Sequence, residues 1–274
     1  MGAPTMIRIP HPNRGLAQGG MRACFEVFEV SDDGLSTAMV AKLFRRTILE
    51  VSERDYFNEG EIQKTCQVFL KEFSNALKKT GTTGVTPLSY IDSVVVYIPP
   101  KQIPEPMRNV RKGFFSYKTE NTREFLFTME PKLEGHFTKY TSNDGAVFYS
   151  NEVRQAIADH NARLEVLKTC EAFSHFTLEE SGGSMLVCDL QGVQSFLTDP
   201  QIHTIDGECF GMGNMGAIGM QRWLARHKCN DICKKMGLKS CEKTTLKRFD
   251  NVEKREKYFK KAQANYKKSA PPLA

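Results

Sequence analysis

Between His227 and Cys233 the chain sets one imidazole and two thiols within seven residues, in the order His-x-Cys-x-x-x-Cys. Nitrogen and sulfur donors at this spacing suit tetrahedral zinc, which takes four ligands and obliges the fold to bring a further residue to the cluster. Cys229 and Cys233 are four apart, so one helix face can present both, with His227 at the helix start or in a bend. Spacing alone leaves the fourth donor open among His160, His175, His203 and Cys241. Two buried free cysteines beside a surface histidine are the plainer alternative.

The 274 residues suffice for one large domain or two lobes with a shared core, and a hydrophobic content of 40% suits a globular protein. No run approaches the roughly 20 apolar residues of a membrane helix. MGAPTMIRIPHPNRG has no apolar leader, and Met6 stands where a myristoylation signal wants Ser or Thr. A cytoplasmic protein is expected, and its eight cysteines read as reduced thiols or metal ligands rather than disulfides. Between Lys247 and Lys268, nine basic and three acidic residues account for the whole net charge of +6. The rest of the chain is neutral, so a basic C-terminal helix on a globule is the simpler reading, and nucleic-acid binding is not expected.

The N-terminal half reads as sheet with one helix. GGMRACFEVFEV (19–30), TAMVAKLFRR (37–46), SVVVYIPP (93–100), KGFFSYK (112–118) and REFLFTMEP (123–131) have strand patterns. Ile62, Cys66, Phe69, Leu70, Phe73 and Leu77 form a helical stripe over 59–79. After Pro131 the pattern changes. Residues 151–177 are helical, with Val153, Ile157, Leu164 and Leu167 on one face. GGSMLVCDLQGV follows as a turn and a buried strand, then a glycine-rich loop over 207–219 and a helix over 220–236. The expected class is α+β: an N-terminal lobe over 1–129 with an antiparallel sheet and a helix, a mixed α/β C-terminal lobe over 130–246 carrying the zinc site, and a basic tail over 247–274. Phe249, Val252, Phe259, Ala262 and Tyr266 in that tail predict a helix docked on the core or on a regulatory partner. A calmodulin- or membrane-surface helix is the alternative.

Three further features carry chemistry. Asp189 ends an apolar strand, Gln191 follows two residues on, and Asp199 ten residues on. Such carboxylates and an amide could hold Mg²⁺ and accept a hydroxyl proton, although Gln-Gly and Asp-Pro are also ordinary turn signals. Lys42 lies inside an apolar strand, about twenty residues after Gly19, Gly20 and Arg22, the layout of a phosphate-covering hairpin. An edge lysine facing water is the commoner cause of such a pattern. Gly211-Met212-Gly213-Asn214-Met215-Gly216 matches GxGxxG, but no continuous apolar strand precedes it, so a dinucleotide site is not expected.

In this order the stretches GGMRACF (19–25), VAKLF (40–44), MEPKLEGHFTKYTSNDG (129–145), AFSHFT (172–177), LVCDLQGV (186–193), LTDPQIHT (197–204), FGMGNMG (210–216) and HKCNDICKKMGL (227–238) resemble the alpha-kinase family across nearly the whole chain. LTDPQIHT and GMGNMG look closest to its elongation factor 2 kinase and myosin heavy chain kinase branches. The resemblance implies a two-lobed atypical protein-kinase fold and ATP-dependent phosphorylation of threonine, sometimes serine, on protein substrates. It implies that Lys42, with Arg22 and the Gly19–Gly20 turn, contacts the ATP phosphates. Glu130 and Leu133 would lie at the adenine hinge, and Lys139 and Asn143 on the nucleotide side of the C-terminal lobe. Gln191 and Asp199 would bind Mg²⁺, Asp199 would orient or deprotonate the acceptor hydroxyl, and Asp189 would lie near the γ-phosphate. It implies that His175 completes the zinc set with His227, Cys229 and Cys233, and that Gly211, Gly213, Asn214 and Gly216 serve peptide substrate rather than nucleotide.

Departures are also visible. Residues 98–113 make a longer connection than the family needs, Pro131 is unusual at the hinge, and Glu59, Glu61 and Glu72 all offer to pair with Lys42. No regulatory module of larger members accompanies the core. Two other functions compete: a zinc-stabilised pseudokinase scaffold, and a nucleic-acid-binding zinc protein using the basic tail.

Overall fold

The computed structural model describes residues 5–10, 15–45, 51–99, 125–148, 157–242 and 244–269. The expected strand at 112–118, most of the connection at 98–113 and the helix start at 151–156 lie outside the described residues.

The described residues fall into two compact units. The first takes in those up to Gly60 together with Asp92–Lys132. It is built on an antiparallel sheet in the order β1 (Met6–Arg8), β3 (Arg22–Val30), β4 (Ser36–Phe44), β7 (Phe125–Pro131), β6 (Val94–Ile98), with β2 (Ala17–Gln18) also on β3. Period-two alternation drives it: Ala23, Phe25 and Val27 on β3 are buried, while Arg22, Cys24 and Glu26 between them are half-buried. Facing residues Met39, Ala41 and Leu43 of β4 and Phe127 and Met129 of β7 complete that core. The register runs from Arg22 opposite Phe44 to Val30 opposite Ser36. A one-residue slip would turn every one of these side chains to the other face, so the pairing is tightly specified. Helix α1 (Glu53–Lys79) starts in this unit. The Asp55 carboxylate accepts from the Ser52 N–H at 2.7 Å, a capping arrangement, and Tyr56 packs edge-on against Phe44 at 5.0 Å.

The second unit comprises Glu61–Ile91 and the described residues from Leu133 onward. Residues 61–91 were expected in the N-terminal lobe. They cluster here because Ile62, Cys66, Phe69, Leu70 and Phe73 bury their stripe among Leu167, Cys170, Phe173 and Phe176 of α2 (Ile157–Glu180). Each such side chain contributes roughly 1.5–3 kcal/mol on burial, which outweighs chain continuity. A short sheet runs β5 (Ser89–Tyr90), β11 (Phe196–Thr198), β10 (Gln191–Val193), β8 (Phe137–Lys139), and β9 (Met185–Cys188) pairs with β12 (Gln201–Thr204). Helix α2 buries polar groups as well as apolar ones. Thr177 Oγ1 donates to the Ser174 carbonyl and accepts from the Val187 N–H at 3.0 Å. It ends at Gly182 and Gly183, both in the left-handed region, where the Gly183 N–H returns to the Leu178 carbonyl at 2.8 Å.

The single helix expected over 220–236 is two: α3 (Gly216–Arg226) and α4 (Asp231–Lys235). His227 turns extended, and Asn230 caps α4 by accepting from the Ile232 and Cys233 N–H groups at 3.0 and 3.1 Å. Helix α5 (Val252–Ser269) docks through Tyr258, which the expected stripe did not contain; Val252 is exposed. The side chains of Phe259, Ala262 and Tyr266 lie outside the described set. No described helix is long and apolar enough to cross a membrane.

Candidate functional site

In the first unit, Lys42 stands opposite Cys24 on one side and Thr128 on the other. Its side chain is 4% exposed, and Nζ lies 2.5 Å from Glu130 Oε1 on β7. Lys42 thus pairs with a strand residue that was expected at the hinge; of the helical candidates, Glu59 makes an ion pair with Arg22, and Glu72 one with Lys261. The diagonal relation of Lys42 and Glu130 was readable only from the β4–β7 register, which sequence does not give. At the Gly19–Gly20 turn the Gly19 N–H donates to the Arg22 carbonyl at 2.8 Å, and Arg45 donates to the Gly19 carbonyl at 3.0 Å.

In the second unit, four expected residues meet where β9 leaves for β10. Lys139 Nζ lies 2.7 Å from Asp189 Oδ1. Gln191 stands opposite both Lys139 and Thr198, and its amide donates to Asp189 Oδ2 at 3.4 Å and to the Asp199 carbonyl at 3.2 Å. Asp189 and Asp199 both have positive φ, at 56° and 52°. Aspartate tolerates that region better than most residues, but two such residues at the exits of β9 and β11 mark a site held in a chosen conformation. Residues 140–143 clamp it: the Tyr140 and Thr141 N–H groups donate to the Leu190 carbonyl, and Thr141 Oγ1 accepts from the Leu190 N–H. Asn143 joins through its carbonyl, 2.5 Å from His203 Nε2, while His203 Nδ1 accepts from the Met215 N–H at 3.0 Å. His203, one of the candidate metal donors, is thus a buried crosslink between the 139–143 strip and the glycine-rich loop. Burial lowers its pKa. Leu133 is half-buried just after β7.

Asn214 holds the glycine-rich loop together. Its Oδ1 accepts from the Thr204 and Gly216 N–H groups, and its Nδ2 donates to Thr204 Oγ1 and to the Glu208 and Cys209 carbonyls, all between 2.7 and 3.1 Å. Gly211 and Gly216 take positive φ. A Cβ on Gly213 would overlap the Gln201 side chain.

The third group is metal-like. His175 Nδ1 lies 3.7 Å from Cys229 Sγ, and His227 Nε2 lies 3.8 Å from Cys233 Sγ. The ligand atoms of all four residues fall within 4.8 Å of one another. A tetrahedron with bonds of about 2.0–2.3 Å has edges of roughly 3.3–3.8 Å, so this set fits zinc. His175 comes from α2, His227 and Cys229 from the α3–α4 break, and Cys233 from α4. The two cysteines therefore do not share a helix face. Asn230 ties the break to α2 by donating to the Lys168 carbonyl at 2.8 Å. Burial lowers the His175 pKa to about 4 and that of His227 to about 3, keeping both imidazoles neutral as ligands must be. Burial pushes the Cys233 thiol up to about 12, so a thiolate there needs a cation beside it. His227 Nδ1 faces Glu171 Oε1 at 4.0 Å.

The sequence profile of the alpha-kinase family matches residues 17–233, four-fifths of the chain. The chain belongs to the alpha-kinase family. Among alpha-kinase relatives it is 33% identical over 233 residues to eukaryotic elongation factor 2 kinase of Caenorhabditis elegans, covering 85% of this chain and 25% of that protein. It is 33% identical over 238 residues to alpha-protein kinase 1 of Dictyostelium discoideum, covering 87% and 14% respectively. The chain thus spans a quarter or less of these relatives. The alpha-kinase domain of myosin heavy chain kinase A, solved in complex with AMP, superposes with a TM-score of 0.66 at 25% identity, covering 86% of this chain and 91% of that one. The same domain has been solved with AMPPCP.

Proposed function

We propose that this alpha-kinase transfers the γ-phosphate of ATP to threonine, and to serine, on a protein substrate. The observation that carries the reading is the group Lys139, Asp189, Gln191 and Asp199, joined by an ion pair and two amide hydrogen bonds, with Tyr140 and Thr141 bonded to the Leu190 backbone between Asp189 and Gln191. Phosphoryl transfer asks a protein for positioning and charge stabilisation more than for covalent chemistry, and fixed carboxylates beside a lysine and an amide provide both.

Residue by residue, Lys42, held extended by Glu130, contacts the phosphates with Arg22 and the Gly19–Gly20 turn, and Glu130 and Leu133 sit toward the base. Gln191 and Asp199 would hold Mg²⁺, which when bound neutralises phosphate charge. Asp199 accepts the proton of the acceptor hydroxyl, and Lys139 keeps the Asp189 carboxylate aimed from the opposite strand. The Asn214-braced loop receives the peptide. Zinc held by His175, His227, Cys229 and Cys233 would tie α2 to the α3–α4 break. The lysines Lys254 and Lys261 of α5 reach Glu180 and Glu72 of the same unit, which supports a helix docked on its own core over a nucleic-acid grip. A reducing, cytoplasmic setting suits the thiol ligands.

The test is γ-³²P incorporation into a threonine-containing protein by wild type and by Asp199→Asn, with folding of both confirmed by circular dichroism. Loss of at least a hundredfold is expected. Equal incorporation by the two refutes the assignment, and none by wild type favours the pseudokinase scaffold.

A further inference from the structure

Beside the four clustered donors lies a fifth residue able to bind metal, Cys241, in the segment after α4. Its side chain is buried at 2% exposure, and Sγ lies 3.2 Å from His175 Nε2. The same thiol lies 4.0 Å from the Lys239 carbonyl, and burial raises its pKa. It falls outside the set of atoms within 4.8 Å of one another, so it touches His175 without joining the tetrahedron.

The ring of His175 explains the arrangement. Its Nδ1 faces Cys229 Sγ at 3.7 Å, a tetrahedral edge, so Nδ1 is on the ion's side. Nε2 is then the outward nitrogen and carries the proton, with Cys241 Sγ and the Lys239 carbonyl as acceptors. The second imidazole has a matching outward partner: His227 turns Nε2 toward Cys233 and Nδ1 toward the Glu171 carboxylate. Outward partners of this kind fix the tautomer and ring orientation of a ligating histidine. A carboxylate or carbonyl is the usual acceptor; here one of the two histidines has a thiol.

Resting on the zinc reading above, we infer that Cys241 is an outer-sphere positioning residue of the metal site, accepting from His175 Nε2–H. That contact presents the Nδ1 lone pair to the ion, and its loss loosens the hold on zinc without changing the ligand count.

The experiment uses the full chain purified with its metal. Zinc release to a chromogenic chelator is timed for wild type, Cys241→Ala and Cys241→Ser, and each protein is reloaded with Co²⁺ for its visible and near-ultraviolet spectrum. Outer-shell substitutions typically cost 10–100-fold in metal affinity, so Cys241→Ala should release zinc about that much faster. Cys241→Ser, which keeps a donor and an acceptor on a shorter reach, should fall between. All three cobalt forms should show the same thiolate-to-cobalt intensity, that of two sulfur ligands. Release from Cys241→Ala at the wild-type rate overturns the inference. So does a loss of about a third of the charge-transfer intensity, which would make Cys241 a ligand. Wild type that holds neither zinc nor cobalt removes the zinc reading itself, and this inference with it.

Discussion

Replacing Lys42 by Met should unfold as well as disarm the protein. Lys42 and Glu130 are almost wholly buried with charges 2.5 Å apart. At an effective dielectric of about 20 their attraction is roughly 7 kcal/mol, much of it offset by the desolvation of both groups. Removing one partner takes from the other charge its close counter-ion in the sheet interior, a loss of about 3–5 kcal/mol. At roughly 2–4 °C per kcal/mol, the melting temperature should fall by about 6–20 °C. Calorimetry on Lys42→Met, Glu130→Gln and the double variant checks this. The double variant should recover at least half of the loss while staying inactive, because the two changes share one interaction. Lys42→Met melting with wild type, or a double variant no more stable than the single, would refute the reasoning. Where the expected loss is found, inactivity of a lysine variant alone says little about chemistry.

Chelation of one zinc per chain should unfold the second unit, and Cys233→Ser should lower its stability in the same way; fluorescence of the only tryptophan, Trp223, stacked on His227 at 4.3 Å, reports it. Unchanged emission after metal removal would count against a structural ion. Gly182→Ala should destabilise by about 2 kcal/mol or more in urea titration, because φ is +62° and the new Cβ would come within 2.4 Å of the Asn251 carbonyl. Acid should destabilise the fold through His175, His203 and His227, all with folded pKa values below the ordinary 6.5. The unfolded chain binds protons first, so this stability is full above about pH 6.5 and falls by about 1.4 kcal/mol per unit per histidine as pH drops toward the folded values. Equal urea midpoints at pH 7.5 and 5.0 would contradict it.

Much of this was legible in advance wherever local periodicity decides the outcome. The alternation of RACFEVFEV and the stripe from Ile62 to Phe73 predicted β3 and α1 because each pattern faces a single core. Pairing across strands was not legible. Lys42 meets Glu130 through a register between β4 and β7 that no spacing encodes. The helix expected over 220–236 failed at Asn230, whose cap on α4 competes with continuing the turn, and that break is what frees His227 and Cys229 to face His175. Sequence order puts 61–91 next to the first unit, whereas packing groups them with the second. Tyr258 was missed because the tail was read by its most apolar residues, whereas a tyrosine with one flat face and one hydroxyl suits a half-wet seam.

That tyrosine has a consequence for how the molecule is made. Its ring stacks on Phe69 at 4.9 Å, its hydroxyl donates to Glu180, and Lys261 nearby reaches back 189 residues to Glu72. The second unit therefore lacks one wall until the ribosome has passed residue 258. At a synthesis rate of about 5–20 residues per second, the side of α1 that carries Phe69 waits roughly 10–40 s for its cover. The described strands of the first unit pair with one another and all lie before Lys132. Nascent chains should thus carry a finished sheet and a helix with one uncovered greasy side, and that side is where a chaperone would bind.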